Sequence, residues 1–437
     1  MRKHVARVGA MGMAAFVVTL AGCTAAPAES NESGIEWDAD AAAYVMEEEV
    51  ASGEVPLRVW VEYPEYGEAL VAAFNEIYPD VKVELTTVAK VDAVNKMQLD
   101  GEAGKGADVY TTNFTDLPRA IEAGVAAPIG EYSAAVTERV GEEFASAVSK
   151  DGELYGVPVS TESIGLFTNT TLLEELTGSA EPASTWEEIV DLASTYNDQS
   201  ANRWTIRWLA GEMYYAYPVL SSNGWSMGED ESEFADALAS DELLTGLEYY
   251  QGLRDIWDVN SADATWDSIE MEFAKGATPY VITGPWAFGD FDAAAAELGF
   301  EYAVTPLPQI EGGDEAATLA GLSVGAVSGY SEYPAASRIF ADFLSSEAAS
   351  EALYTTTGAI PALAADAIAD VPGLADDAHA AGILEQSRRA DLISNITDAQ
   401  WTVANDMVSS VWDGAAEPAD AQEAAVTGFE DLSGLSE

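Results

Sequence analysis

The apolar positions of this chain change period repeatedly after Leu57. Leu57 to Tyr63 (LRVWVEY) is a short apolar, β-prone run and reads as a buried strand. From Glu68 to Tyr78 the spacing of Leu70, Val71, Phe74 and Ile77 predicts a helix that Pro79 stops. Val81, Val83 and Leu85 then alternate with polar residues, which predicts a second strand. A helix from about Val91 to Leu99 precedes a Gly-rich stretch, Gly101 to Gly106, and Asp108-Val109-Tyr110 starts a third strand. Strands alternating with helices predict an α/β lobe with a parallel sheet and helices on both faces.

The pattern then repeats. A β-prone segment runs from Gly156-Val157-Pro158 to Phe167. Thr185-Trp186-Glu187-Glu188 reads as a capping box, Ser240 as the cap of a helix from Asp241 to Ile256. Strands are expected at Thr278–Thr283 and Tyr302–Thr305, with Gly284-Pro285-Trp286 turning into a helix that has Pro near its first position. This is a second α/β lobe, and from about Pro334 the chain reads as mostly helical. A length of 437 residues suits two lobes better than one core.

The N-terminus adds export. Arg2, Lys3 and Arg7 precede an apolar run from Val8 to Leu20, too short for a stable membrane span. Residues 1–22 read as a signal peptide. Leu20-Ala21-Gly22-Cys23 resembles the lipobox of bacterial lipoproteins, which implies cleavage before Cys23 and lipid attachment to its sulfur. Cys23 is the one cysteine, so no internal disulfide exists. Residues 23–53, rich in Ala, Glu, Ser and Asp, are expected as a flexible tether. The implied location is extracytoplasmic, lipid-anchored to the outer face of the cell membrane.

Charge and scarcity narrow the chemistry. The formal net charge is −58, so nucleic acid is not expected as a partner, because phosphate binding needs clustered Lys and Arg. Acid runs such as Glu229-Asp230-Glu231 read as solvated surface, and no EF-hand pattern marks a calcium loop. Only His379 remains once the signal is removed, and it reads as a surface histidine. No zinc ligand set, no G-x-S-x-G with a histidine partner and no phosphate-binding glycine motif can be assembled. No metal, cofactor or catalytic residue is expected, although chemistry by paired carboxylates stays open.

Several motifs, in order, resemble the maltose-binding branch of bacterial extracellular solute-binding proteins of ABC importers. They are Leu57-Arg58-Val59-Trp60, the Phe74 to Pro79 turn, Gly106-Ala107-Asp108-Val109 and Gly152-Glu153-Leu154-Tyr155-Gly156-Val157-Pro158. Thr185-Trp186-Glu187-Glu188, Phe273-Ala274-Lys275-Gly276 and Thr283-Gly284-Pro285-Trp286 follow. The resemblance implies a two-lobed α/β periplasmic-binding-protein-like fold with discontinuous lobes joined by a hinge. The expected division is 54–160 plus 322–375 for the N-terminal lobe and 161–321 plus 376–433 for the C-terminal lobe. The ligand would lie between them, where aromatic rings cover sugar faces and carboxylates accept from hydroxyls.

Carried over position by position, the resemblance implies Trp286 and Trp401 as stacking residues and Tyr214 as a further platform, with Tyr215 and Tyr217 as competitors for that role. Glu212 and Glu162 would accept hydroxyls, and Trp225 would line the cleft. The plainer readings are a packing residue at a helix start for Trp286 and a solvated hinge acid for Glu162. The chain departs from the family twice. Pro64-Glu65 stands where maltose binders carry an Asp-Lys pair, so Tyr63 is expected on that wall instead. After Asp108-Val109 the family's aromatic and acid are missing, leaving Thr112 and Asn113 as hydroxyl binders. The function implied is capture of a sugar or oligosaccharide by lobe closure and delivery to the transmembrane subunits of an ABC permease, by a monomer that makes and breaks no bond. The rivals are a binder of a polyamine or peptide and an extracytoplasmic glycosidase with an acid pair across the scissile bond.

Overall fold

The computed structural model describes residues 36–39, 41–228, 230–393 and 396–433. The basic stretch, the apolar run and Cys23 lie outside the described residues, as does Glu229. No helix among the described residues is long and apolar enough to cross a membrane.

The first lobe opens with β1 (Leu57–Val61), α1 (Pro64–Ile77), β2 (Val83–Thr87), α2 (Lys90–Asp100) and β3 (Val109–Asn113). Helix α1 begins earlier than the apolar spacing suggests, because Pro64 occupies its first turn and presets the backbone. Later comes β4 (Val157–Glu162), after which Ser163 and Ile164 lead straight into β5 (Gly165–Asn169) of a different sheet. The second lobe contains β6 (Ile206–Arg207), α3 (Met213–Ser222), α4 (Trp266–Ala274), β7 (Tyr280–Thr283), α5 (Phe288–Leu298) and β8 (Tyr302–Thr305). The chain then returns to the first sheet as β9 (Gly321–Ser328), followed by α6 (Pro334–Phe343) and β10 (Ile360–Pro361). Helices α7 (Ala378–Ser387) and α8 (Asp398–Trp412) come last but one.

The larger sheet has seven strands, six in the order β10-β4-β9-β3-β1-β2 and a short one, Ala126–Ala127, paired to β9 beside them, and the smaller has four, β6-β7-β5-β8. Only β2-β1-β3 and β6-β7 pair in parallel. The remaining pairs are antiparallel; those of β9 and β5 are so because each enters its sheet from the other lobe and runs away from the junction. The expected fully parallel lobes are therefore mixed. A consequence is that β1, β3, β4 and β7 all point their C-terminal ends at the junction, where ligands bind in α/β folds.

Buried polar pairs pin the crossing segments. The Ser163 and Thr318 hydroxyls meet at 2.8 Å with both residues fully buried. Gln386 of α7, also fully buried, donates to the Ala316 carbonyl at 2.8 Å and accepts from the Leu307 amide at 2.7 Å. Helix α7 thus packs where all the crossings meet. Its His379 is half-buried rather than a surface group, stacked on Tyr302 at 4.0 Å.

The tether expectation fails for residues 36–53 that are described. Trp37–Asp38 pairs with Ala43–Tyr44 in a short ladder, and Trp37, Tyr44 and Tyr132 form an edge-on ring cluster 4.9–5.3 Å apart. The Tyr44 hydroxyl accepts from the Glu131 amide at 2.8 Å, and Val50 is fully buried. The Glu47 carboxylate accepts from the Ala335 and Ala336 amides, both at 2.9 Å, at the N-terminus of α6. A few large side chains bury enough surface here to order a segment of polar composition.

Candidate functional site

A cleft of about 630 Å³ opens between the lobes where Glu162 ends β4, a volume within the range of roughly 300–1,000 Å³ usual for small-ligand sites. Its second-lobe wall is aromatic. Tyr214, Tyr215, Trp266 and Trp286 line it, each ring meeting the next edge-on at 5.4–5.6 Å. Such T-shaped contacts set the edge of one ring against the face of the next and fix their relative orientation. Trp266 is 42% exposed and Trp286 47%, large apolar faces presented to the cleft rather than to a core.

Local sequence explains the presentation. Strand β7 ends at Thr283, and Gly284-Pro285 turn the chain so that the Trp286 indole folds back over Gly284. A Cβ on Gly284 would stand 2.2 Å from the Trp286 ring, so glycine is required by space, not by dihedral angle. Glu270 of α4 then fixes the indole, accepting from Trp286 Nε1 at 3.0 Å and from the Thr283 hydroxyl at 2.6 Å. Trp266 stands at the first position of α4, just after Thr265, whose side chain closes a capping box with Ser268.

A smaller cavity of about 230 Å³ continues into the first lobe on the other side of Glu162, bordered by Glu62, Tyr63, Glu65, Lys90 and Thr111. Lys90, at the start of α2, lies 3.3 Å from Glu162 and 3.5 Å from Glu62. Burial alone would lower its ammonium pKa, but Glu162 and Glu62 outweigh burial and raise it, so Lys90 is held charged. Burial, and then Glu62, push the Tyr63 phenol up. Burial likewise raises the Glu212 carboxyl.

The structure brings together Trp286, Tyr214, Glu212 and Glu162 around the cleft, and Tyr63 on the adjoining wall. It does not bring all the expected residues there. Trp225 is 3% exposed, donates to the Ala237 carbonyl at 3.0 Å and packs on Tyr217, so it belongs to the core of the second lobe. Thr112 is fully buried with its hydroxyl on the Lys90 carbonyl at 3.3 Å. Side chains alternate along a strand, so Thr111 faces the cavity and Thr112 the opposite side. Asn113 and Trp401 are half-buried and border neither cavity, Asn113 before the turn Phe114–Asp116 and Trp401 in the first turns of α8.

Sequence reasoning missed Trp266, Glu270, Glu62 and Lys90, and placed Tyr215 only as a competitor of Tyr214. A capping pattern at Thr265-Trp266 was the available signal for the first of these. Lys90 restores a cation to the wall where the Asp-Lys pair is missing, but from the next helix, which linear alignment of the first strand does not reveal.

A family model described as bacterial extracellular solute-binding protein matches residues 69–382. The galactooligosaccharide-binding protein of Bacillus subtilis (strain 168) is 26% identical over 81% of this chain and 83% of its own length. A maltooligosaccharide ABC transporter solute-binding lipoprotein of Streptococcus pneumoniae serotype 4 is 25% identical over 85% of this chain and 87% of its own. Among solved structures, a cyclo/maltodextrin-binding protein complexed with maltotetraose superposes with a TM-score of 0.75, at 26% identity, over 86% of this chain and 97% of that one.

Proposed function

Because the chain belongs to the bacterial extracellular solute-binding protein family, we propose that it captures an oligosaccharide between its lobes and delivers it to the permease subunits of an ABC importer. The observation that carries this reading is the wall of Tyr214, Tyr215, Trp266 and Trp286, flanked by Glu212 and Glu162. A pyranose has apolar C–H faces that suit such rings, and hydroxyls that suit such acceptors. The named relatives bind galactooligosaccharide and maltooligosaccharide, and the solved neighbour holds maltotetraose, which supports a chain of several sugar units as ligand. The family and the lipoprotein relative support an extracytoplasmic location, with Cys23 as the lipid attachment site. The relatives are binding proteins, which supports reversible binding without catalysis.

A second reading, a cationic solute such as a polyamine, draws on the carboxylates Glu62, Glu65, Glu162, Glu212 and Glu270 along the two cavities, against Lys90. A panel of maltooligosaccharides, galactooligosaccharides, polyamines and peptides, read as shifts of melting temperature, separates the two, since a ligand that binds only the folded state raises it. Oligosaccharides alone are expected to do so. A shift with polyamines alone, or release of shorter sugars during incubation, overturns the reading.

A further inference from the structure

Gly321 begins β9 directly opposite Glu162, the last residue of β4. Glycine weakens a strand, because it has no side chain to pack and more backbone freedom to lose, and it often marks a place where something else approaches closely. Two causes within the chain could require it, and neither holds. The backbone of Gly321 does not adopt a positive φ. Its surroundings are not crowded either: a Cβ built there would meet only the Glu162 Cβ, at 4.0 Å, an ordinary contact. Gly325 in the same strand is the contrast, since a Cβ on it would stand 2.1 Å from the Leu344 side chain. Gly321 borders the cleft, so the space left by its missing side chain belongs to the cleft.

The strand pair sets where that space leads. Residues opposite each other across a ladder share a face, as do residues two apart along a strand. Gly321 and Glu162 therefore lie on the face that carries Ser323 and Ser160, the next such pair along β9 and β4. Ser160 and Ser323 border the first-lobe cavity, Gly321 borders the cleft, and Glu162 borders both. The two spaces thus share one floor, with hydroxyls at one end, the aromatic wall at the other, and no side chain at Gly321 between them. Lys90, which borders the first-lobe cavity and not the cleft, holds the Glu162 carboxylate at 3.3 Å. We infer that Gly321 is a specificity-determining residue for chain length: its missing side chain lets one oligosaccharide run from the aromatic wall, over the Gly321–Glu162 pair, into the first-lobe cavity. The inference rests on the oligosaccharide reading above and adds to it a ligand longer than the cleft alone.

Side chains of graded size at this position test the inference. The parent protein, Gly321→Ala, Gly321→Val and Gly321→Leu are titrated calorimetrically with maltooligosaccharides and galactooligosaccharides of two and four units. In the parent, the preferred four-unit sugar is expected to bind more tightly than its two-unit form. That gap should shrink as the side chain grows, until Gly321→Leu has lost about tenfold or more in affinity for the four-unit sugar and less than about threefold for the two-unit one. The unliganded Gly321→Ala protein should melt at the parent's temperature or above, because the added carbon enters open space and the unfolded chain loses freedom. A Gly321→Ala protein that melts well below the parent overturns the inference, because the position is then packed. Equal weakening toward both chain lengths also overturns it and assigns Gly321 to hinge bending, with the oligosaccharide reading intact. Unchanged affinity of Gly321→Leu for the four-unit sugar, or a parent indifferent to chain length, overturns it in the same way. A parent that binds none of these sugars overturns both readings.

Discussion

Trp286 concentrates the residue-scale physics of the site. At 47% exposure its ring contributes little to a core, yet its orientation is set on one side by the missing Cβ of Gly284 and on the other by Glu270. Trp286→Ala should weaken sugar binding roughly thirtyfold or more, by analogy with interface hot spots worth about 2–4 kcal/mol, and barely shift the melting temperature. Collapse of the melting temperature with binding retained would return the ring to the core. Gly284→Ala should act at a distance of one side chain: the indole is displaced, and affinity falls about tenfold with the far-ultraviolet circular dichroism unchanged. At this scale the sequence was legible where a local motif decides orientation, as in Gly284-Pro285-Trp286. It was not legible where tertiary packing decides. Trp225 and Trp266 are both tryptophans beside helices, but one is sealed by the Ala237 carbonyl and Tyr217 and the other faces the cleft. Thr111 and Thr112 differ only in strand parity, which the register of β3 against β9 fixes.

At the scale of elements, local signals were the readable ones. The capping box at Thr185–Glu188 and the Ser240 cap occur as their sequences predict, since both depend on residues within one turn. The segment 36–53 was misread because its sparse Trp37, Tyr44 and Val50 find partners, such as Tyr132, far away in the chain. Glu47→Ala removes the carboxylate that satisfies two amides of α6, and should cost about 0.5–2 kcal/mol of stability by chemical denaturation, as loss of a helix cap does. Sugar affinity should be unchanged, because α6 follows the end of β9 far from Gly321 and Glu162. The N-terminus of α2 carries a different test. Lys90→Met removes an ammonium whose pKa burial alone would lower but Glu162 and Glu62 raise. The stability that this charge contributes is present below the ordinary lysine value of about 10.4 and is lost as pH rises through the higher folded value. The melting-temperature deficit of Lys90→Met against the parent should therefore be largest near neutral pH and shrink above about pH 10. A deficit independent of pH would mean that Lys90 acts by packing alone.

At the scale of the whole molecule, two sheets share one junction and face each other across Glu162. The alternation of strand and helix foretold two α/β lobes, but not that β5 and β9 would exchange between them and run antiparallel to their neighbours. That exchange depends on which lobe a strand comes from, which periodicity does not encode. It also places Ser163, Thr318 and Gln386 where lobe movement must bend the chain. Closure around a sugar would bring the acceptors of one lobe against a ligand held on the rings of the other, expelling water from both. The measurement that bears most directly on this account is calorimetric titration of the purified protein with maltotetraose and a galactotetraose, with the sugars recovered and sized afterwards. The account predicts saturable one-to-one binding of at least one of them, weakened in Trp286→Ala, with the sugar recovered intact. Failure of both to bind, or recovery of shortened sugars, would contradict it.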